Sequence, residues 1–115
     1  MNKPPQKTKT DDENPFSAEL LNLALKLKTE WGENFKKPID ERILQKFPML
    51  TNAEIKELDK IAGEADSFIC DLAEQELDGK IHESDIISQT RLRFPWINDG
   101  NLFRLKNIGM FYARK

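Results

Sequence analysis

Two Phe-Pro dipeptides, Phe47-Pro48 and Phe94-Pro95, constrain this chain more than any other feature in it. A proline ring and its missing N–H disfavour helical geometry just upstream, so each dipeptide stops one helix. Each is soon followed by an apolar residue able to plug a corner, Leu50 or Ile97, and then by a polar residue able to cap the next helix, Thr51 or Asn98. The match continues: FPMLTNAEIKELDKI at 47–61 aligns without gaps on FPWINDGNLFRLKNI at 94–108, an offset of 47 residues. Ile55, Leu58 and Ile61 fall opposite Leu102, Leu105 and Ile108, at the steps of three that one face of a helix requires. The pattern predicts two copies of one helix–corner–helix hairpin, over about residues 38–79 and 84–114.

The remaining elements follow from the same periodicity. Asn14-Pro15 reads as a cap followed by proline at the first helical position. Phe16, Leu20, Leu23, Leu27 and Trp31 then recur at steps of three and four up to Gly32, which predicts a helix over 15–31. Residues 32–38 form a loop from which Phe35 dips into the core. A short helix over 39–46 turns Ile39, Ile43 and Leu44 inward. Thr51 and Glu54 make a capping box that opens a long helix over about 51–77. Its inner stripe is Ile55, Leu58, Ala62, Ala65, Ile69 and Leu72, and the small residues Ala62, Gly63 and Ala65 suggest close approach of another helix. Asp78-Gly79 is a turn signal. A fourth helix starts near Ser84 or Asp85, turns Ile86, Ile87 and Leu92 inward, and ends before Pro95. A fifth, capped by Asn98 or Asp99, carries Leu102, Leu105, Ile108, Gly109 and Tyr112 on its core face. That last helix is apolar nearly all round, so it is either central to the core or shared with a partner. Alternation of apolar and polar residues is never sustained, which leaves no strand pattern. The expected fold is all-α: one five-helix domain over 15–115 behind a disordered tail, residues 1–14, too polar to offset the entropy of ordering.

Composition narrows the function classes. No apolar run approaches the roughly 20 residues that span a bilayer, and the first residues lack the apolar core of a signal peptide. A cytoplasmic location and no membrane partner are the expectation. Cys70 is the one cysteine, so no internal disulfide is available, and its expected place is the buried side of a helix beside Ile69. His82 is the one histidine and stands in a polar stretch, expected to be exposed. Phosphate-binding glycine loops, zinc-binding helix motifs and nucleophile elbows are all missing from the sequence. No catalytic residue, cofactor or metal ligand is therefore assigned, and the expectation is a protein that is not an enzyme.

Charge is unevenly spread. Before residue 80 there are 11 Lys and Arg against 17 Asp and Glu; from residue 80 on there are 7 against 3. Glu57, Glu64, Asp71 and Asp78 recur every seven residues along the long helix, most simply as a solvated face. In the C-terminal segment Arg91, Arg93, Arg104, Lys106, Arg114 and Lys115 are interleaved with Phe94, Trp96, Phe103, Phe111 and Tyr112, and Met110 joins Phe103 and Phe111 as an outward-facing apolar residue of the last helix. Arginine, methionine and aromatic residues are enriched at the centres of protein interfaces. The same mixture suits nucleic-acid phosphates and bases. The sequence pI of about 5.5 and the acidic Asp99 at the start of the last helix disfavour nucleic acid. The favoured reading is a non-catalytic interaction or regulatory module. Its candidate partner-binding residues are Trp96, Phe103, Met110, Phe111, Arg104, Arg91 and Arg93. Its partner is a second copy of the chain or another protein, with nucleic acid as the alternative.

Overall fold

The computed structural model describes residues 16–30 and 38–115. The tail over 1–14, Trp31 and Phe35 lie outside them. Five α-helices and no strand occur among the described residues: α1 (Ala18–Lys28), α2 (Asp40–Lys46), α3 (Asn52–Leu77), α4 (Glu83–Arg93) and α5 (Asp99–Ala113). The all-α, five-helix expectation holds.

The ends of α1 differ from the expected 15–31. Phe16 is not helical, and Ser17 is the cap: its hydroxyl accepts the Leu20 N–H at 3.1 Å. A hydroxyl here, with Glu19 in the first turn, suits the positive end of a helix better than a start three residues earlier. At the other end Thr29 is the cap, and its hydroxyl donates to the Leu25 carbonyl at 2.7 Å. Arg42 of α2 donates to the Leu27 carbonyl at 2.7 Å and to the Glu30 carboxylate at 2.8 Å, tying α2 to the C-terminal end of α1.

The capping box of α3 is complete: the Glu54 N–H donates to the Thr51 hydroxyl at 3.1 Å, and the Thr51 N–H to the Glu54 carboxylate at 2.9 Å. Ile55, Leu58, Ala62, Ala65, Ile69 and Leu72 are buried as expected. α3 packs against all four other helices. It, rather than the aromatic C-terminal helix, is the element the fold is built on. α5 covers one of its sides and meets α1 and α4 as well.

The two Phe-Pro corners adopt nearly the same backbone. Phe47 has φ −133°, ψ 72° and Phe94 has φ −131°, ψ 71°. The caps that follow, Thr51 at φ −81°, ψ 162° and Asn98 at φ −77°, ψ 164°, also agree. Each phenylalanine N–H bonds four residues back, to Ile43 at 2.9 Å or Thr90 at 2.7 Å. Leu50 and Ile97 each donate to the phenylalanine carbonyl, at 3.2 and 3.1 Å. The surroundings differ: Phe94 is buried and Phe47 only half-buried.

Several expected core positions are corrected. Leu92 is 84 % exposed. The inner stripe of α4 is instead Ile86 and Thr90, continued by Phe94 at steps of four, and Leu92 stands two residues off it. Thr90 is tolerated there because its hydroxyl donates to the Ile86 carbonyl at 2.6 Å. Tyr112, expected inside, is exposed near the C-terminus; the buried residues of α5 are Asn101, Leu102, Leu105 and Gly109. Met110, expected outside, packs half-buried against the core, where a flexible thioether fills irregular space. Cys70 is half-buried rather than buried, with its sulfur 3.9 Å from an Asp66 carboxylate oxygen one turn away.

Close helix approach occurs at Gly109, not at Gly63. A Cβ added at Gly63 would meet only the Lys28 side chain, at 4.0 Å, whereas one at Gly109 would lie 3.3 Å from the Ala73 Cβ and 3.7 Å from the Ile69 carbonyl oxygen. Gly109→Leu therefore has no space to enter without moving α3. It is expected to cost about 1–3 kcal/mol in urea unfolding. Ala73→Gly should restore part of that loss, because the two positions touch.

Candidate functional site

The structure separates the seven sequence-derived candidates. The arginines turn mostly to intrachain partners. Arg91 donates to Asp99 at 2.8 Å. Arg104 donates to the Thr29 carbonyl at 3.0 Å, the Thr29 hydroxyl at 3.0 Å and the Asn101 amide oxygen at 3.1 Å. Burial pushes the Arg104 guanidinium below its ordinary value, and the Asp66 carboxylate partly offsets this. Arg93 lies over the Phe94 ring, 4.7 Å from its centre. The other basic groups of the segment are also engaged. Lys106 bonds Glu83 and thereby holds that carboxyl below its ordinary range. Arg114 donates to Glu76 at 2.6 Å, and Lys115 lies over Tyr112 at 5.3 Å. A strip of free cations for phosphate is not what these side chains form.

Arg104 belongs to a buried polar network that the sequence reading missed. Asn22 of α1 sits at its centre. Its amide nitrogen donates to the Ala18 carbonyl at 2.8 Å and to the Trp96 carbonyl at 2.7 Å. Its amide oxygen accepts the Asn98 N–H at 2.9 Å and the Asn101 amide at 3.0 Å. All four hydrogen-bonding capacities of the amide are used. Asn101, itself buried, also donates to the Asn22 carbonyl at 3.0 Å. One signal for this was available: Asn22 lies between Leu21 and Leu23 within an apolar stripe, where a polar residue needs a partner.

The contrast between the two corners is local. The Thr51 N–H finds its acceptor in Glu54, three residues on. At the aligned place in the second corner stands Asn101, and the Asn98 N–H is satisfied from α1 by Asn22.

The aromatic candidates divide too. Trp96 is half-buried and meets Phe94 edge-on at 6.1 Å, so it belongs to the core's rim. Phe103 and Phe111 remain outside, 45 % and 55 % exposed. With exposed Asn107 between them they are spaced four residues apart, on one side of α5 away from Leu102 and Leu105. Phe111 also meets Tyr112 edge-on at 5.5 Å. Beside this face lies a groove of about 440 Å³ between α5 and the end of α1, lined among the described residues by Lys26, Glu30, Arg104, Asn107, Ile108 and Phe111.

Two further depressions are polar or mixed. One of about 350 Å³ near the α3–α4 turn contains Glu76, Glu83 and Asp85, whose carboxylates accept from Arg114, Lys106 and the His82 N–H respectively. His82 is exposed, as expected, and caps α4. The other, about 550 Å³, joins Glu64 and Asp71 of the acidic stripe to Arg93 and Lys60 over Phe68 and Phe94. It holds charges of both signs. No group of three or more acidic, histidine or cysteine side chains among the described residues is arranged to hold a metal ion, and no helix there is long and apolar enough to cross a membrane. Set against known protein families, curated proteins and solved structures, the chain matches none.

Proposed function

We propose that this chain is a non-catalytic protein-interaction module of the cytoplasm, acting through the outer face of α5. The observation that carries this reading is the pair Phe103 and Phe111, both large, apolar and about half exposed on one side of α5, with Phe111 also lining the adjacent groove. Exposed aromatic side chains grouped beside a groove favour a protein partner, since they bring large contact area at little entropic cost. The intrachain bonds of Arg91, Arg104, Lys106 and Arg114 weigh against nucleic acid, because phosphate binding would compete with each of them.

The test is the full chain carrying Phe103→Ser and Phe111→Ser together. Stability should fall by no more than about 2–3 kcal/mol, since each ring is only about half covered, and urea unfolding confirms that the variant stays folded. Proteins captured by the immobilised native chain, itself included, should be lost from the variant in a quantitative comparison. Equal capture by both chains overturns the proposal. So does salt-dependent binding of nucleic acid to the native chain that Arg91→Glu with Arg93→Glu removes.

A further inference from the structure

We infer that the outer face of α5 is built to pair with itself: a second copy of the chain docks with its α5 antiparallel to the first, about a two-fold axis through Asn107. This rests on the interaction reading above and names its partner and register.

The exposed stripe reads the same in both directions. Phe103 precedes Asn107 by four residues and Phe111 follows it by four. A two-fold contact is isologous: if one residue meets another, the reverse contact forms as well. Antiparallel pairing about Asn107 brings each Phe103 level with the partner's Phe111, over the groove that begins beside Asn107 and Ile108. Two such contacts form at once, one at each end of the stripe. At the centre each Asn107 amide meets its own counterpart. A primary amide carries both donors and an acceptor, so two of them form a reciprocal pair of hydrogen bonds. A polar residue meeting its own copy inside an apolar seam also fixes register, because any slip leaves both amides unpaired.

Charge agrees with this direction. Asp99 opens α5 and Lys115 follows its end, and both are exposed. In the antiparallel pair Asp99 of each chain comes level with the partner's Lys115, and the two helix dipoles oppose. In a parallel pair Asp99 would meet Asp99, Lys115 would meet Lys115, and the dipoles would align. The Arg91–Asp99 pair does not compete strongly, since its side chains are 52 % and 74 % exposed. The contact is small. A helix of 15 residues is roughly 22 Å long, which places the dimer among the weak, concentration-dependent complexes rather than the obligate ones.

Sedimentation from micromolar to millimolar concentration should show the native chain passing from monomer to dimer. Asn107→Asp and Asn107→Lys place like charges on the axis, and each should weaken the dimer by about tenfold or more while the fold is retained. Mixed in equal amounts, the two variants should restore a dimer of one copy each. Cysteine pairing gives a second measure in a Cys70→Ala background. Asn107→Cys should oxidise to a linked dimer, and Phe103→Cys should link to Phe111→Cys but not to itself. A chain monomeric throughout, a dimer indifferent to charge at 107, or self-linkage through Phe103→Cys overturns the inference. If the native chain stays monomeric yet captures another protein that the Phe103→Ser, Phe111→Ser chain does not, this inference fails and the interaction reading stands.

Discussion

Phe94→Ala is expected to destabilise the chain by about 3–5 kcal/mol, and Phe47→Ala at the aligned corner by clearly less. Sequence alone treats the two positions alike, and their backbone angles do agree. Their surroundings decide the difference. Phe94 is 5 % exposed and stands between Phe68, edge-on at 5.5 Å, and Trp96, while Arg93 covers its ring. Truncation there opens a cavity lined by large side chains that α3 and α4 hold in place. Phe47 is half-buried at the end of the seven-residue α2, so its ring already gives part of its surface to water. A smaller transfer term and an easier collapse both lower the cost. Urea unfolding of the two single variants, with unchanged m-values, measures the gap. Equal losses would mean that the corner's own geometry, rather than its surroundings, sets the energy.

Asn22→Ala is expected to cost on the order of 3 kcal/mol, as much as removing a core leucine, although no apolar contact is the reason. The substitution strands the Asn98 N–H, the Trp96 carbonyl and one donor of the Asn101 amide at once. Each buried group left without a partner costs about 1–3 kcal/mol unless water reaches it. Asn22→Asp should not rescue the loss. Its carboxylate can still accept from Asn98, but it cannot donate to Trp96 and it buries a charge. A loss below about 1 kcal/mol for Asn22→Ala would show that water replaces the amide.

The parts of this fold legible in the sequence are those specified locally. Thr51 and Glu54 satisfy each other within one turn, Pro48 and Pro95 terminate helices by covalent geometry, and the α3 stripe repeats over six positions. The misread parts depend on which partner or space a side chain finds once the helices are packed. Nothing near Leu92 says that Thr90 takes the inward place, because that choice hinges on a hydroxyl finding the Ile86 carbonyl. Tyr112 falls on the correct helical face but lies near the end of α5, where it stays exposed. Arg104 looked like a surface cation because Thr29, which accepts from it twice, lies far away in the chain at the end of α1. Phe103 and Phe111 were legible as outward-facing, since the helical period places them away from Leu102 and Leu105. Met110 was not, because a long flexible side chain can reach the core from the flank.

The different way in which each corner satisfies its cap has a consequence for the order in which the chain folds. The α2–α3 corner closes with groups no more than a few residues apart, so it can form while the rest of the chain is still unfolded. The α4–α5 corner cannot complete itself: the Asn98 N–H and the Trp96 carbonyl wait for Asn22, more than seventy residues away. Bringing so distant a segment into place carries a loop-closure cost that local pairing avoids. The docking of α1 on this corner is therefore expected to come late. Hydrogen exchange should report this: the Asn98 amide is expected to lose protection together with α1 rather than with the helix it caps.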